Sequence, residues 1–390
     1  MINLLAAKSH DDKGFNDLLL ASLLKAKATA ELKLNPNIFK ALEWPLDLKG
    51  YKEYLLKFSK WIPQQSNDDA WKYHDNNWHK EVFDRLNHFY YLVDQKIGPN
   101  DSNVVENIPW FGNWLVEYVN CLGSFLNTTD SFNIETLYSF IKFSPQYRVK
   151  DSLINGHSNN PSGWLTFNQF FARELNPGLR PIDNPMDNTV VTTPADCTFR
   201  AKYHIGPDST MPEITVKMTH KFAQIENLLE GSKYKGAFAN GTFVHYFLAP
   251  YSYHRFHTPV AGVIKECYPV HGLVYLDVNI ENEQFNAPDN SEGGYQFAQA
   301  RGIITIDTTD SPYGNIGIVA IIPIGMAHVS SVNMIATVGT NVLKGEEFGY
   351  FLFGGSDIIV LFQEGTNPQI DTNSQYRHYG NQMARCTPIT

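Results

Sequence analysis

The stretch Phe351–Phe362, FLFGGSDIIVLF, constrains the fold of this chain more than any other. Two apolar, strand-like runs are broken at one point by Gly354, Gly355, Ser356 and Asp357. Glycine inside a strand pattern marks a bulge, a tight bend or a close backbone approach. Alone, the stretch reads as a strand interrupted by a turn that happens to carry a serine. What surrounds it in the chain decides whether it is more.

The texture of the chain changes along its length. Residues 1 to about 150 read as helical: Leu20, Leu23, Leu24 and Ala28 recur at helical spacing, as do Phe83, Leu86, Phe89, Tyr90 and Val93, and Trp110, Trp114, Leu115, Tyr118 and Leu122. Loops rich in Asn, Asp and Pro separate them, at 64–69 and 99–103. Nothing there has catalytic spacing, and His74, His79 and His88 read as surface or core histidines. After a polar linker at 155–163, Thr166 and Gln169 make a capping box. Trp164, Phe167, Phe170, Phe171 and Leu175 fall on one face of the helix it starts, which runs to the Asn176-Pro177-Gly178 stop.

From about Val190 the segments become short and β-rich: Val190–Thr193, Thr242–Leu248, Gly262–Tyr268, Leu273–Val278, Gly302–Asp307, Ile316–Ile324, Met334–Val338 and the stretch above. Strands without long intervening helices predict a barrel or packed-sheet core, so the fold class is α/β in the α+β sense, a helical N-terminal region followed by a β-rich core. A length of 390 residues suits two domains or one domain with a sizeable extension.

Composition excludes some functions. A net charge of -9 leaves no basic surplus to neutralise phosphates and speaks against nucleic acid and against an anionic membrane surface. The most apolar stretch, Trp110–Leu126, is interrupted by Asn113, Glu117 and Asn120, which rules it out as a membrane span. Cys121, Cys197, Cys267 and Cys386 stand far apart, with no zinc or disulfide signature. The N-terminus has no signal-peptide pattern. The expectation is a soluble, cytoplasmic protein.

Three places in the β-rich half carry reactive side chains: Asp196 in Thr-Pro-Ala-Asp-Cys, His254 and His257 in Tyr-His-Arg-Phe-His-Thr-Pro, and Ser356 at the glycine break. A carboxylate, an imidazole and a hydroxyl are the parts that activate a serine, the acid orienting the histidine that takes the hydroxyl proton. Two histidines three apart are also an incomplete metal pair, with no third ligand at a useful spacing.

GWLTFNQFFARELNPGLRPI, VTTPADCTF, YSYHRFHTPVAGVI, KGEEFGYF and FGGSD occur in the order seen in the phosphatidylserine decarboxylase family of pyruvoyl enzymes, which the chain resembles from about Gly163 to Phe362. Phe170, Phe171, Arg173, Leu175, Pro177, Gly178, Arg180, Pro181 and Ile182 match the first motif. The resemblance implies a catalytic domain over 151–390 beside a helical region over 1–150. It puts Asp196, His257 and Ser356 in a self-processing triad. With His257 as base, Ser356 Oγ attacks the Gly355 carbonyl; the ester then eliminates to dehydroalanine, which hydrolyses to a pyruvoyl group. Residues 1–355 become the β chain and 356–390 the α chain. Glycine at 354 and 355 would let the backbone take strained dihedrals and present the carbonyl. The covalent pyruvoyl forms a Schiff base with the substrate amine and accepts the electrons that carbon dioxide leaves behind, so neither PLP nor a metal is implied. His254 is the residue the family suggests for protonating the product.

Several departures point away from the lipid-acting members. The family's Leu-Gly-Ser-Thr reads Gly-Gly-Ser-Asp here, and its Asn-Glu-Arg reads Gln299-Ala300-Arg301. The helical N-terminal region and Ile324–Ser330 resemble the soluble amino-acid-decarboxylating branch, typified by the fungal L-tryptophan decarboxylase. A free, aromatic, tryptophan-like L-amino acid is the substrate this implies, with Phe256 and His328 as pocket candidates and a homodimer allowed by the family. Phosphatidylserine decarboxylation is the alternative; a serine hydrolase and a pseudoenzyme that does not cleave are remoter ones. Asp357 is the awkward residue, because a carboxylate beside the scissile bond repels an anionic intermediate.

Overall fold

The computed structural model describes residues 1–72, 78–98, 103–211, 215–216, 220–221, 224–287, 297–328 and 332–389. The chain divides into two compact units, Met1–Phe170 with Leu273–Pro288, and Phe171–Gly272 with Asp289–Thr390. His74 lies outside the described residues, as do Val329 and Ser330.

The first unit is helical. Its main helices are α1 (Ile2–Asp11), α2 (Lys13–Lys33), α3 (Pro36–Ala41), α4 (Leu48–Phe58), α5 (Glu81–Tyr91), α6 (Pro109–Leu126) and α7 (Ile134–Phe143). Their starts are written locally: Asp12, Asp47 and Asn133 accept from the backbone N–H of Phe15, Gly50 and Thr136, and Pro109 opens α6 without a donor to waste. The buried face of α2 is Phe15, Leu19, Leu23, Ala26 and Ala30, one step round from the expected face, and Leu24 is exposed. His88 is a core histidine held 3.3 Å from the Tyr54 hydroxyl, and burial pushes its pKa down to about 3.

A short helix, α8 (Phe167–Phe171), follows. Its capping box forms as expected: Gln169 Oε1 accepts from Leu165 and Thr166, and Gln169 N donates to Thr166 Oγ1 at 3.2 Å. The helix stops at Phe171, well before the Pro-Gly pair, so Leu175 is not on it.

The second unit is built from antiparallel strands: β1 (Val190–Thr192), β2 (Cys197–His204), β3 (Thr242–Leu248), β4 (Arg255–His257), β5 (Gly262–Val270), β6 (Arg301–Asp307), β7 (Ile318–Met326), β8 (Val332–Met334), β9 (Asn341–Val342), β10 (Glu347–Phe351), β11 (Gly355–Phe362), β12 (Gln369–Ile370), β13 (Tyr376–Arg377) and β14 (Gln382–Arg385). Eight form one sheet in the order β9-β5-β6-β7-β11-β3-β2-β13; β8-β10-β4 and β12-β14-β1 form two smaller ones. The large sheet is open, with β9 and β13 at its edges, so the packed-sheet expectation holds and the barrel does not.

β11 lies inside the large sheet, paired on one side with β7 and on the other with β3. Its side chains alternate between two cores. Ile358, Val360 and Phe362 join a cluster with Val244, Tyr246, Leu248, Phe256, Phe348 and Phe351. Ile359 and Leu361 join another with Phe243, Ile322, Ile324 and, from the helix α9 (Ile225–Leu228), Ile225 and Leu228. Five consecutive apolar side chains, Ile358 to Phe362, have no exposed surface. At about 1.5–3 kcal/mol each, their burial offsets the roughly 1–2 kcal/mol per residue spent on the backbone and the further ~0.5–1 spent on each side chain, and the ladders on both edges add to it. The strand would therefore stay in place were its first peptide bond to break.

Two expected strands fail. Residues 273–278 alternate in burial, with Val274, Leu276 and Val278 buried, but the ladder strand begins only at Asn279. The strand expected over Met334–Val338 ends at Met334, and Ile335 and Val338 are exposed.

Candidate active site

The chain leaves the small sheet at Phe351, crosses Leu352–Gly354, and enters the large sheet at Gly355. Gly354 takes φ +151°, a conformation side chains rarely adopt, whereas Gly355 is an ordinary strand residue. Ser356 pairs with Gly325 on β7 and Leu248 on β3 and is fully buried.

His254 sits on the turn between β3 and β4. Its Nδ1 lies 3.2 Å from Ser356 Oγ and its Nε2 3.3 Å from the Pro250 carbonyl. A carbonyl only accepts, so Nε2 carries the proton and Nδ1 turns a lone pair to the serine hydroxyl. Burial, with the Arg173 cation adding to it, pushes the His254 pKa down to about 3, which keeps the ring neutral and able to accept. Phe171 stacks on the ring at 4.1 Å, and the Phe351 N–H donates to the His254 carbonyl, fixing ring and backbone together.

His257 is three residues on but differently employed. Its Nδ1 is 2.9 Å from the Gly345 carbonyl and its Nε2 3.1 Å from the Tyr253 hydroxyl, so both nitrogens are engaged. Burial pushes its pKa down to about 4, against the opposing pull of the Gly345 carbonyl and the Asp196 charge. Asp196 is likewise saturated. It accepts from Arg180 at 3.1 and 2.6 Å, lies 3.1 Å from His378 Nδ1, and accepts from the Tyr379 N–H at 2.8 Å. Burial opposes its ionisation, but hydrogen bonds from His378 and Arg180 outweigh it and hold the carboxyl below the usual range.

The structure thus brings His254, not His257, to Ser356, and places Arg180, His378 and Tyr379 around Asp196. The expected Asp196–His257–Ser356 relay is not joined by hydrogen bonds. The reason is local: β4 begins at Arg255, so His254 stays on the turn beside β11 while His257 is drawn into the β4–β10 ladder opposite Glu347. All four ring nitrogens of the two histidines lie within hydrogen-bond distance of protein groups, and no group of three or more His, Cys, Asp or Glu placed to hold a metal occurs among the described residues. Phe256 packs against Phe348 and Phe351 in the core and is fully buried. His328 is buried just beyond β7, and burial pushes its pKa down to about 3. Arg301 is a structural tie, donating to the Leu228, Gln299 and Asn227 carbonyls.

Asp357 points to the opposite face of β11 from Ser356. There its Oδ2 lies 3.1 Å from His245 Nε2 on β3, and both side chains are fully buried. Ile359 faces His245 directly in the ladder, so Asp357 meets it diagonally. The carboxylate that looked awkward is directed away from the side of the strand that Ser356 faces and has an imidazole beside it.

Sequence reasoning missed Phe171 as the ring behind His254 and Arg180, His378 and Tyr379 as partners of Asp196. Phe171 and Arg180 stood inside a motif without an assigned task. His378 and Tyr379 carried no spacing signal.

Residues 167–385 match the family model described as phosphatidylserine decarboxylase. The chain is 34% identical over 201 residues to phosphatidylserine decarboxylase proenzyme 2 of Oryza sativa subsp. japonica, covering 51% of this chain and 29% of that protein. It is 30% identical over 211 residues to Decarboxylase iboD of Amanita muscaria, covering 51% of this chain and 59% of the other. With the phosphatidylserine decarboxylase proenzyme of Chlamydia trachomatis it shares 30% over 230 residues, 58% of this chain and 68% of that one. The match thus spans less than two thirds of the rice and Amanita proteins.

Proposed function

We propose that this chain, which belongs to the phosphatidylserine decarboxylase family, is a pyruvoyl-dependent decarboxylase that cuts itself between Gly355 and Ser356 and acts on a free, aromatic L-amino acid. One observation carries the reading: His254 Nδ1 stands 3.2 Å from Ser356 Oγ, with the scissile Gly355 next in the chain. A neutral imidazole whose lone pair meets a buried serine hydroxyl can take its proton. Oγ then attacks the Gly355 carbonyl carbon, the amide nitrogen leaves it, and Gly355 becomes esterified to its neighbour. Loss of the Ser356 Cα proton breaks the ester, freeing the carboxylate of residues 1–355 and leaving dehydroalanine at 356, which takes up water and releases ammonia to become the pyruvoyl. Ladder bonds to β7 and β3 hold the short chain, 356–390, where it was.

The residues fit a pyruvoyl group at 356, since that position is buried, clamped on both edges and faced by one imidazole. When present, the group supplies a carbonyl that takes up a substrate amine and draws electrons from the bond to carbon dioxide. His254 is the nearest group to deliver the proton that replaces the departing carboxylate, and Phe171 keeps its ring in place.

An amino acid rather than a lipid is supported by the Gly-Gly-Ser-Asp and Gln299-Ala300-Arg301 departures, by the helical unit upstream of the matched region, and by the Amanita decarboxylase, whose name carries no phospholipid. Among the described residues no helix is long and apolar enough to cross a membrane. A cytoplasmic location goes with this substrate. Phosphatidylserine is the second reading, favoured by the names of the rice and Chlamydia relatives.

Intact-mass spectrometry tests the first step. Two chains split between 355 and 356 are expected, the shorter beginning with pyruvoyl, against one uncut chain for Ser356→Ala. An uncut wild-type chain of 44.2 kDa overturns the reading and favours a hydrolase or a non-cleaving relative. Carbon dioxide release from tryptophan and phenylalanine, set beside release from phosphatidylserine vesicles, decides the substrate.

A further inference from the structure

We infer that Tyr379 is a positioning residue for His257, and that Asp196 acts on His257 through Tyr379 rather than by touching it; this rests on the self-cleavage proposed above. The Tyr379 ring lies flat on the His257 imidazole, with centroids 3.7 Å apart and planes 3° from parallel. Tyr253 lies nearly parallel to both, 5.7 Å from His257 and 5.6 Å from Tyr379. With the Gly345 carbonyl on Nδ1 and the Tyr253 hydroxyl on Nε2, the His257 ring is pinned at both nitrogens and covered on a face.

A carboxylate that orients a catalytic histidine ordinarily does so by accepting from a ring nitrogen. Here the Gly345 carbonyl occupies that place. The Asp196 carboxylate instead accepts from the backbone N–H of Tyr379, the residue whose ring covers His257, while Arg180 and His378 hold the carboxylate itself. The surrounding loop is stitched to the strand end that carries Asp196. Thr193 N donates to the Asn381 carbonyl, Gly380 N to the Thr193 carbonyl, and Thr193 Oγ1 to the His378 carbonyl. Gly380 takes φ +85°, with the Pro181 carbonyl and Ile182 where a Cβ would stand, so the loop has one way to lie. This segment falls in the short chain after the proposed cut. The short chain would therefore bring to the site not only its first residue but also the ring that orients His257.

The test compares Tyr379→Phe, which keeps the ring, with Tyr379→Leu, which removes it. Newly made precursor is followed to cleavage on a gel, alongside Asp196→Asn and the Asp196→Asn/Tyr379→Leu double variant, with melting temperatures confirming the fold. Tyr379→Phe should cleave within about two-fold of wild type, and Tyr379→Leu should slow cleavage as far as His257→Ala does and no further, because the ring acts through that histidine. The double variant should be no slower than the slower single one. A loss for Tyr379→Leu that differs from that of His257→Ala, or losses that multiply in the double variant, would overturn the inference. A second arm uses uncut Ser356→Ala protein and maps diethyl pyrocarbonate modification. His257 should become reactive with Tyr379→Leu and stay protected with Tyr379→Phe, while His254 stays protected in both. Unchanged protection of His257 also overturns the inference. Should wild type fail to cut at all, the self-cleavage reading falls, and this arm still decides the role of Tyr379.

Discussion

Ser356 and Asp357 are neighbours on β11 and both wholly buried, yet they live on different sides of the sheet. Ser356 faces the core that holds Phe351 and Leu248 and meets one neutral imidazole, His254. Asp357 faces the core that holds Phe243 and Leu361 and meets a second histidine, His245. Two histidine contacts of almost equal length, 3.2 and 3.1 Å, thus differ in kind: one is made to a serine hydroxyl, the proton donor of the proposed cleavage, and the other to a carboxylate in apolar surroundings. Adjacency in sequence is the wrong measure of electrostatic influence in a strand. The alternation of side chains sends consecutive residues into separate environments, and a charge is judged by what it faces.

The sharpest way to break this comparison is to exchange the two residues' fates. Ser356→Ala removes the hydroxyl at the proposed cut and should leave a single chain by intact mass, whereas Asp357→Ala should still cleave. An Asp357→Ala precursor as inert as Ser356→Ala would mean that the two faces are not chemically separate. Next in size is His254→Ala. Loss of a positioned proton acceptor costs about 10²–10⁴ in rate, so its cleavage should fall that far, and further than that of His257→Ala. The reverse order would return the base role to His257.

Acid probes the buried imidazoles together. His254 and His328 have pKa values pushed down to about 3 and His257 to about 4, below the ordinary 6.5. The unfolded chain then binds more protons than the folded one below pH 6.5. Stability is full above that pH and is lost as pH falls towards the folded values, at about 1.4 kcal/mol per pH unit for each histidine. Melting temperature measured from pH 7.5 to 4.5 should drop steeply below about 6.5. A flat profile would mean that these rings are charged or exposed.

On the other face the effect is on stability alone. Asp357→Ala takes the carboxylate from beside the buried His245, and removing one member of a buried polar pair costs about 1–3 kcal/mol. Replacing both by leucine should recover much of that, since apolar substitutes of similar volume often equal or better a buried pair. Urea midpoints for the single and double variants measure it.

How far the sequence could be read follows from where its signals are local. The capping box at Thr166 and Gln169 and the strand Thr242–Leu248 involve neighbours in sequence and were legible to the residue. Residues 273–278 misled because burial alternates there as in a strand, at Val274, Leu276 and Val278. The Val278 N–H, however, goes to the Asp94 carboxylate, so the pattern of burial is present without the ladder. At the site, the motifs supplied Asp196, His254, His257 and Ser356 but not the pairing. Whether the first or second histidine reaches the serine depends on where β4 begins and on a phenylalanine more than eighty residues upstream, Phe171. Asp357 was opaque for the same reason, because its partner His245 is set by strand register.

The glycines give the smallest and most discriminating test. Strand alternation puts the missing Cβ of Gly355 on the Asp357 side, where it would meet Met326 Cβ at 3.5 Å, an ordinary contact. It would not stand in the path of Ser356 Oγ. Alanine restricts the unfolded chain and costs nothing in the fold, so Gly355→Ala should gain about 0.5–1 kcal/mol of stability. Cleavage should continue, and Gly354→Ala, forced to φ +151°, should instead lose about 1–3 kcal/mol and slow the cut. Thermal melts and a cleavage time course separate the two. A stable Gly355→Ala precursor that never cuts would place the need for glycine in the reaction itself, at the moment the Gly355 carbonyl leaves the plane of the strand.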